Sequence, residues 1–204
     1  KGGMHVSAVQ KDPKTYEHIN PEEVGNSRNI VVSDQSGQSN IISRLESIGI
    51  NIEKNDPKIK KLLEEVKDRE FIGYSYDGAD ASFELLARRL IGNIPRFISI
   101  NEYDVSVKKD NSGEIISYAK AQLEVDGQKI LCEGQGNGPV NALDNAIRKN
   151  VDKLEKYSTY LKDLRLVDYK VRILNTGTEA VTRVSIESTD AKGVNWFTIG
   201  VSPN

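Results

Sequence analysis

The sequence predicts an α+β protein: a mostly helical N-terminal region, followed by a tandem β-β-β-α repeat whose second copy is truncated before its helix. Two observations lead to this prediction. The hydrophobic period changes near Pro95 from the helical value to the two-residue value of strands. The same succession of strands and turns then occurs twice, which is typical of an internal repeat.

The region before Pro95 has apolar residues every three or four positions, as on one face of a helix. The first such residues are Ile42, Leu45, Ile48, Ile59, Leu62, Leu63 and Val66. A further helix is predicted to begin near Asp77, with Asp80 or Ser82 as its cap, and to end at Gly92. Its apolar stripe comprises Phe83, Leu85, Leu86 and Leu90.

The first copy of the repeat has three segments in which apolar and polar residues alternate, followed by a helix. Strands are predicted from Ile98 to Val107, Ile115 to Val125 and Gln128 to Glu133, with turns at Asn111-Ser112-Gly113 and Asp126-Gly127. The helix is predicted from Pro139 to about Leu154. Its apolar side comprises Val140, Leu143, Ile147, Val151 and Leu154.

The second copy of the repeat has strands predicted at Val167 to Leu174, Ala180 to Glu187 and Asn195 to Val201. Pro203 follows Gly200 much as Pro139 follows Gly136, so a second helix is expected beyond the end of the sequence. We therefore expect the chain to be a piece of a longer protein. Without its helix, the sheet of the second repeat copy would have an uncovered face, which would have to be buried against the first repeat copy or a partner chain.

Composition excludes several classes of protein. The 204 residues include 28 basic and 30 acidic ones, a net charge of −2, so no global field attracts nucleic acid or an anionic membrane. The single cysteine, Cys132, cannot form an internal disulfide, and no apolar run reaches the length of a membrane span. Two isolated histidines, His5 and His18, do not make a metal site. These features favour a cytoplasmic protein.

The segment GQGNGPVNALDNAI, from Gly134, places a glycine-rich turn at the start of a helix. Its glycines permit positive φ or close approach of a ligand, and free N–H groups at a helix start can hold a carboxylate. A phosphate loop is less well supported, because no Lys-Ser/Thr pair follows the glycines. A helix cap without any ligand remains the alternative interpretation.

A small cavity would arise if the two glycine-proline turns faced each other across the repeat axis. Its apolar lining could come from Leu166, Tyr169 and Ile173, although such residues are also common in cores. Their spacing of three and four does not fit one face of a strand, so we expect a bend there. A small anionic metabolite with an apolar tail would suit this cavity.

Six segments in order carry a family resemblance: KGGMHV, KTYEHINPEEVGN, SDQSGQSNI, YDGADASFELL, GNGPVNAL and GVSPN. Together they resemble the C-terminal half of the citramalate synthases, within the isopropylmalate synthase and homocitrate synthase family. The resemblance covers the whole chain. The segment YDGADASFELL is more similar to citramalate synthase than to isopropylmalate synthase.

The resemblance implies an acyltransferase whose catalytic barrel, absent from this chain, holds a divalent metal and condenses pyruvate with acetyl-CoA. It implies a linker subdomain at residues 1–60 that reaches the barrel of the partner subunit, a helical connector at 61–95, and an allosteric, dimeric regulatory domain at 96–204. It assigns His5 to proton transfer and places Tyr16 in the same active site, completed in trans. Without the resemblance, His5 would be interpreted as a surface residue. The chain alone is expected to be inactive and to need no cofactor.

The resemblance also implies that the regulatory domain binds the end product of the pathway, with isoleucine as the first choice and leucine as the second. The residues implied in effector binding are Gly136, Gly138, Val140, Asn141, Leu166, Tyr169, Ile173, Val184 and Pro203. Turn N–H groups would hold the carboxylate, carbonyls or Asn141 the ammonium group, and Val140, Leu166 and Ile173 the branched tail. Two alternatives remain: the leucine-responsive region of an isopropylmalate synthase, and a pure dimerisation module without an effector.

Overall fold

A computed structural model describes residues 3–26, 37–92, 94–151 and 155–203. The chain forms two compact units, Lys1–Ile94 with Leu166–Asn204, and Pro95–Arg165, and each is described by itself. Part of the segment that begins at Ser33, and the end of the helix predicted to reach Leu154, lie outside the described residues.

The fold is α+β, as predicted from the sequence. The α-helices are α1 Gly3–Lys11, α2 Gln38–Ser47, α3 Pro57–Phe71, α4 Asp80–Ile91, α5 Pro139–Val151 and α6 Glu155–Leu161. Short 3-10 helices span Pro13–Thr15 and Pro21–Val24. The strands are β1 Ile98–Lys109, β2 Ile115–Val125, β3 Gln128–Gly136, β4 Arg165–Ile173, β5 Thr182–Thr189 and β6 Asn195–Ser202.

Helices α2, α3 and α4 of the first unit share one apolar core. The large apolar side chains of this core with at most 1% exposure are Ile41, Leu45, Ile59, Leu62, Val66 and Phe83. Burying a side chain of this size contributes about 1.5–3 kcal/mol, so the periodic residues account for the packing of these helices. Leu85 departs from the predicted stripe and is 43% exposed.

The predicted caps of α4 are wrong. The residue before this helix is Ala79, which makes no side-chain cap. The Asp80 carboxylate instead forms an ion pair with Arg44, and the Ser82 hydroxyl accepts a hydrogen bond from the backbone of Ile199, at 2.9 Å. Both side chains bind partners that are distant in sequence, which a local capping rule does not consider.

The sheet of the first unit has the strand order β4-β5-β6. Strand β4 is continuous over nine residues, so the bend expected near Tyr169 is absent. Side chains alternate along a strand, so Tyr169 and Ile173 share one face and Leu166 lies on the other. Helix α4 contacts β6 and covers part of the sheet, which the repeat pattern did not predict.

The second unit is an antiparallel sheet, β1-β2-β3, with α5 packed on one face. The predicted hairpin turns are confirmed: the Asp110 carboxylate accepts hydrogen bonds from the backbone of Ser112 and Glu114, and Asp126 and Gly127 have positive φ of 49° and 80°. Helix α6 was not predicted. It is tied to the second turn by Tyr157, whose hydroxyl donates to Asp126 at 2.7 Å.

Glycines allow α5 to lie directly on β3. A Cβ added to Gly134 would stand 2.5 Å from the backbone nitrogen of Ala146 and 2.8 Å from the carbonyl oxygen of Ala142. One added to Gly136 would stand 2.6 Å from the Ala142 nitrogen. Neither glycine has positive φ, so both are needed for close packing of backbone on backbone.

Replacing Gly134 by Ala should therefore force α5 away from β3. We expect a loss of about 1–3 kcal/mol or more, the typical cost of overpacking, because the obstructing atoms belong to the backbone. The measurement is urea unfolding. The control is Gly138→Ser, because an added Cβ meets no atom within 4 Å in the described part of the chain, its two chain neighbours apart, and the hydroxyl suits the start of a helix. Equal stability of the two variants would contradict this account.

Tyr76 lies in the helical core and is 4% exposed. Burial raises its pKa to about 12, and the nearby Arg69 only partly opposes this shift. Because the folded-state pKa is raised, the contribution to stability is complete below about pH 10, the ordinary pKa of tyrosine, and is lost as the pH rises towards 12.

We therefore expect the free energy of unfolding to fall between pH 10 and 11, and this fall to be smaller in Tyr76→Phe. Denaturant unfolding at a series of pH values measures it. Tyr160, which is 78% exposed, offers the matched control Tyr160→Phe, and this variant should retain the fall of the wild type.

Candidate functional site

His5 and Tyr16 lie side by side in the first unit. Their ring centroids are 4.9 Å apart and the rings are tilted by 47°. His5 is exposed on α1, and Tyr16 is 53% exposed directly after the first 3-10 helix. The structure thus brings together the two side chains that the resemblance assigned to one active site.

Local hydrogen bonds hold Tyr16 next to α1. The Asp12 carboxylate accepts from the backbone of Lys14 at 3.0 Å and caps the 3-10 helix, and the Thr15 hydroxyl donates to the Asp12 carbonyl at 2.7 Å. The Tyr16 N–H donates to the Pro13 carbonyl at 3.1 Å. The Tyr16 ring therefore projects from a fixed turn beside His5 on α1, and both rings remain accessible.

The start of α5 is open to solvent. Val140 is 56% exposed and does not belong to the buried stripe predicted for it. The residues that face the sheet are the small Ala142 and Ala146, both fully buried. Among the described residues, apart from its two chain neighbours, no atom lies within 4 Å of a Cβ built on Gly138. The N-terminal N–H groups of α5 therefore point into accessible space beside an exposed apolar side chain.

Asn141 has a structural role in this turn. Its Oδ1 accepts from the backbone of Asn137 at 3.3 Å and from the Asn145 side chain at 3.5 Å. Asn145 also donates to the Gln135 carbonyl at 2.8 Å, which ties α5 to the end of β3. These bonds favour the cap interpretation for Asn141, and Gly136 serves helix packing.

The other candidate effector residues lie in the first unit. Tyr169 is 40% exposed and Ile173 is 66% exposed on one face of β4. Val184 is half-buried on β5 and is paired with Gly200. A Cβ built on Gly200 would meet no atom within 4 Å among the described residues, its chain neighbours apart. Pro203 is exposed after β6, and Leu166, 55% exposed, lies on the opposite face of β4. One face of this sheet therefore presents accessible apolar side chains.

The charges beside Tyr169 are paired. Asp168 and Lys170 form an ion pair at 2.7 Å, and the hydrogen bond from Lys170 lowers the pKa of the Asp168 carboxyl. The Asp168 carboxylate also accepts from the Tyr169 N–H at 2.8 Å. This pair lies on the other face of the strand from Tyr169, so the tyrosine ring stands on a face without these charges.

Sequence reasoning missed Ser117. It stands opposite Gly136 in the β2–β3 pairing, is 0% exposed, and its hydroxyl has no hydrogen-bond partner among the described residues. One indication of it was present in the sequence: in the alternating pattern of β2, Ser117 occupies a position where a buried apolar residue is expected. Its small volume suits the close approach of α5 to the sheet.

Two classes of site receive no support from the described ranges. No group of three or more His, Cys, Asp and Glu side chains there is arranged to hold a metal ion. No helix in the same ranges has the length and apolar character that a membrane span requires.

Comparison with known proteins gives two family matches. Residues 77–204 match the family described as LeuA allosteric (dimerisation) domain, and residues 1–71 match the homocitrate synthase post-HMGL domain-like family. These matches cover the candidate effector residues and the His5–Tyr16 pair.

Individual relatives agree with these matches. The chain is 46% identical to the (R)-citramalate synthase of Aquifex aeolicus, 45% to that of Geobacter sulfurreducens and 43% to that of Synechocystis sp.. Each alignment covers 100% of this chain but only 38% of the relative. The chain therefore belongs to the LeuA allosteric (dimerisation) domain family, with a homocitrate synthase post-HMGL-like region before it, and corresponds to the C-terminal part of proteins named (R)-citramalate synthase.

Proposed function

We propose that this chain is the regulatory C-terminal region of a cytoplasmic citramalate synthase, that it binds isoleucine as a feedback inhibitor, and that it mediates dimerisation. The observation that carries the proposal is the accessibility of the candidate effector residues within a chain of the allosteric family. Val140, Tyr169 and Ile173 are large apolar residues, yet each is at least 40% exposed.

The chemistry of these residues suits an amino acid with a branched tail. The open N-terminus of α5 offers N–H groups to a carboxylate. In the second unit, Val140 offers apolar surface beside this helix start, and in the first unit Ile173 on β4 separately offers apolar surface that suits a branched tail. Because Asn141 Oδ1 already accepts two hydrogen bonds, we assign the ammonium group to backbone carbonyls. A single methylene is worth about 1–3 kcal/mol, enough to separate isoleucine from valine.

The dimerisation part of the proposal rests on an uncovered strip along β1 and the start of β2. Tyr103 pairs with Ala121 and Val107 with Ser117, so both lie on the face that carries α5. The α5 helix packs mainly on β2 and β3. The apolar side chains left at least half exposed on this face are Ile100, Tyr103, Val107 and Ile115. Such a contiguous apolar strip is typical of an interface with another chain.

The catalytic part of the proposal concerns the whole enzyme, which condenses acetyl-CoA with pyruvate on a metal-containing barrel outside this chain. His5 would move a proton and Tyr16 would act beside it, both reaching the barrel of the partner subunit. Their exposure and their 4.9 Å separation support a joint role on a molecule that this unit does not itself enclose.

Effector binding can be measured on this chain by isothermal titration with isoleucine, leucine and valine. We expect saturable binding with isoleucine preferred, and a stabilisation of about 2.7 kcal/mol at one hundred times the Kd. Tyr169→Ala should weaken the affinity about tenfold or more, because about 1.4 kcal/mol of lost contact corresponds to a factor of ten. Tyr160→Ala, in α6, is the matched control and should bind normally.

Leucine preference would move the parent enzyme to the leucine-responsive alternative. The absence of binding by all three amino acids would leave dimerisation alone. An unchanged affinity in Tyr169→Ala would remove that side chain from the effector site.

The role of His5 requires the enzyme in which this chain follows a catalytic barrel. His5→Ala should lower kcat about 10²–10⁴-fold, the typical contribution of a general acid or base, and should leave isoleucine affinity unchanged. His18→Ala is the control and should retain normal turnover. If the two histidine variants turned over equally well, His5 would be a surface residue only.

A further inference from the structure

The end of α3 is fixed to the β4–β6 sheet through Gly73. The Nε of Arg183, on β5, donates to the Gly73 carbonyl at 2.5 Å. Gly73 ends α3 with φ of 114°, and its N–H donates to the Glu70 carbonyl at 3.0 Å. The next N–H, of Tyr74, donates to the Arg69 carbonyl at 3.0 Å. The carbonyl that Arg183 holds is therefore part of a closed helix end.

The sheet side of Gly73 lies against two side chains of the sheet. A Cβ added there would overlap Cδ1 of Leu174, the far end of a flexible side chain, and stand 3.4 Å from Cγ1 of Val201. The positive φ of 114° is the reason for a glycine at this position. The corner between α3 and α4 is thus in van der Waals contact with the sheet as well as hydrogen-bonded to it.

A second attachment joins the sheet to α4. The backbone N–H of Ile199 donates to the Ser82 hydroxyl at 2.9 Å. Strand β6 is an edge strand, and Ser82 satisfies a donor that the sheet leaves unpaired. On the same helix, Phe83 and Leu86 are buried in the core shared with α2 and α3. Helix α4 therefore packs in the helical core and is also hydrogen-bonded to the sheet.

The two faces of this sheet have different roles. Arg183 and Val184 are adjacent on β5, so they project to opposite faces. Leu174, which follows β4 directly, contacts the Gly73 corner, so Ile173 and Tyr169 project away from it. Tyr169, Ile173 and Val184 thus lie on one face, and the attachments to α3 and α4 lie on the other face, which also carries Leu166, and at the edge.

We propose that Ser82 and Arg183 are positioning residues that transmit effector binding from the β4–β6 sheet to the helical part of the same unit. A ligand that changes the position of β5 or β6 would move the end of α3 and α4 with them, since the hydrogen bonds of Arg183 and Ser82 join the sheet to these helices. The proposal rests on the proposed function, because it takes isoleucine as the ligand of the sheet. It adds the route by which the occupied sheet acts on the helices.

The test is hydrogen exchange of this chain with and without saturating isoleucine, together with the isoleucine Kd from isothermal titration. In the wild type we expect isoleucine to slow the exchange of amides in α4 and at Tyr74 and Tyr76. In Ser82→Ala we expect a Kd within about threefold of the wild type, well inside the tenfold that 1.4 kcal/mol produces, and loss of the response in α4. Alanine favours a helix, so this variant should fold.

Arg183→Met is the second variant, because it keeps most of the side-chain stem and removes the donor to Gly73. We expect it to lose the response at Tyr74 and Tyr76 while it still binds isoleucine. Ser188→Ala, on β5 of the same sheet, is the control and should respond like the wild type. A purely structural role would change basal exchange in the variants but leave the isoleucine-dependent difference intact.

The outcomes separate the two proposals. If the wild type binds no isoleucine, the proposed function fails and this inference fails with it. If the wild type binds and responds but both variants respond equally well, the inference alone is overturned. If one variant does not fold, the other decides by the same criterion.

Discussion

The second unit depends on the direct contact between the backbone of β3 and that of α5. Gly134 and Gly136 permit this contact, and Ala142 and Ala146 supply the small side chains on the helix. The small residues, rather than the larger apolar ones, therefore determine which side of α5 faces the sheet. That rotation turns Val140 outwards beside the open helix start. An exposed apolar residue next to free N–H groups is thus a consequence of how tightly the helix packs.

The strands were predictable because their information is local. Alternation along β2 and the residues of both hairpin turns specify a strand and its ends without reference to the rest of the chain. The caps of α4 were wrong because Asp80 and Ser82 bind partners distant in sequence, Arg44 and Ile199. Helix α6 was missed because its main tie is the side-chain bond of Tyr157 to a distant turn.

The candidate site was predictable only in part, for the same reason. Segment resemblance placed His5 and Tyr16 in one site, and the structure brings their rings together. The sequence of the glycine-rich turn is compatible with a ligand loop and with a helix start without a ligand, and Gly134 and Gly136 are needed for packing in either case. A glycine that accommodates a ligand and a glycine that accommodates a helix give the same sequence signal. Only the position of the neighbouring backbone distinguishes the two cases.

The helices also connect the two candidate sites of the first unit. Helix α1, which carries His5, contacts α2, and α2 contacts α3. Helix α3 contacts α4, which in turn contacts β6 of the sheet that carries Tyr169. Contiguity alone does not establish coupling, since coupling requires an element with two arrangements that both sites bias. The α3–α4 corner is where such an element would have to act, because Arg183 and Ser82 attach the sheet to the helices there.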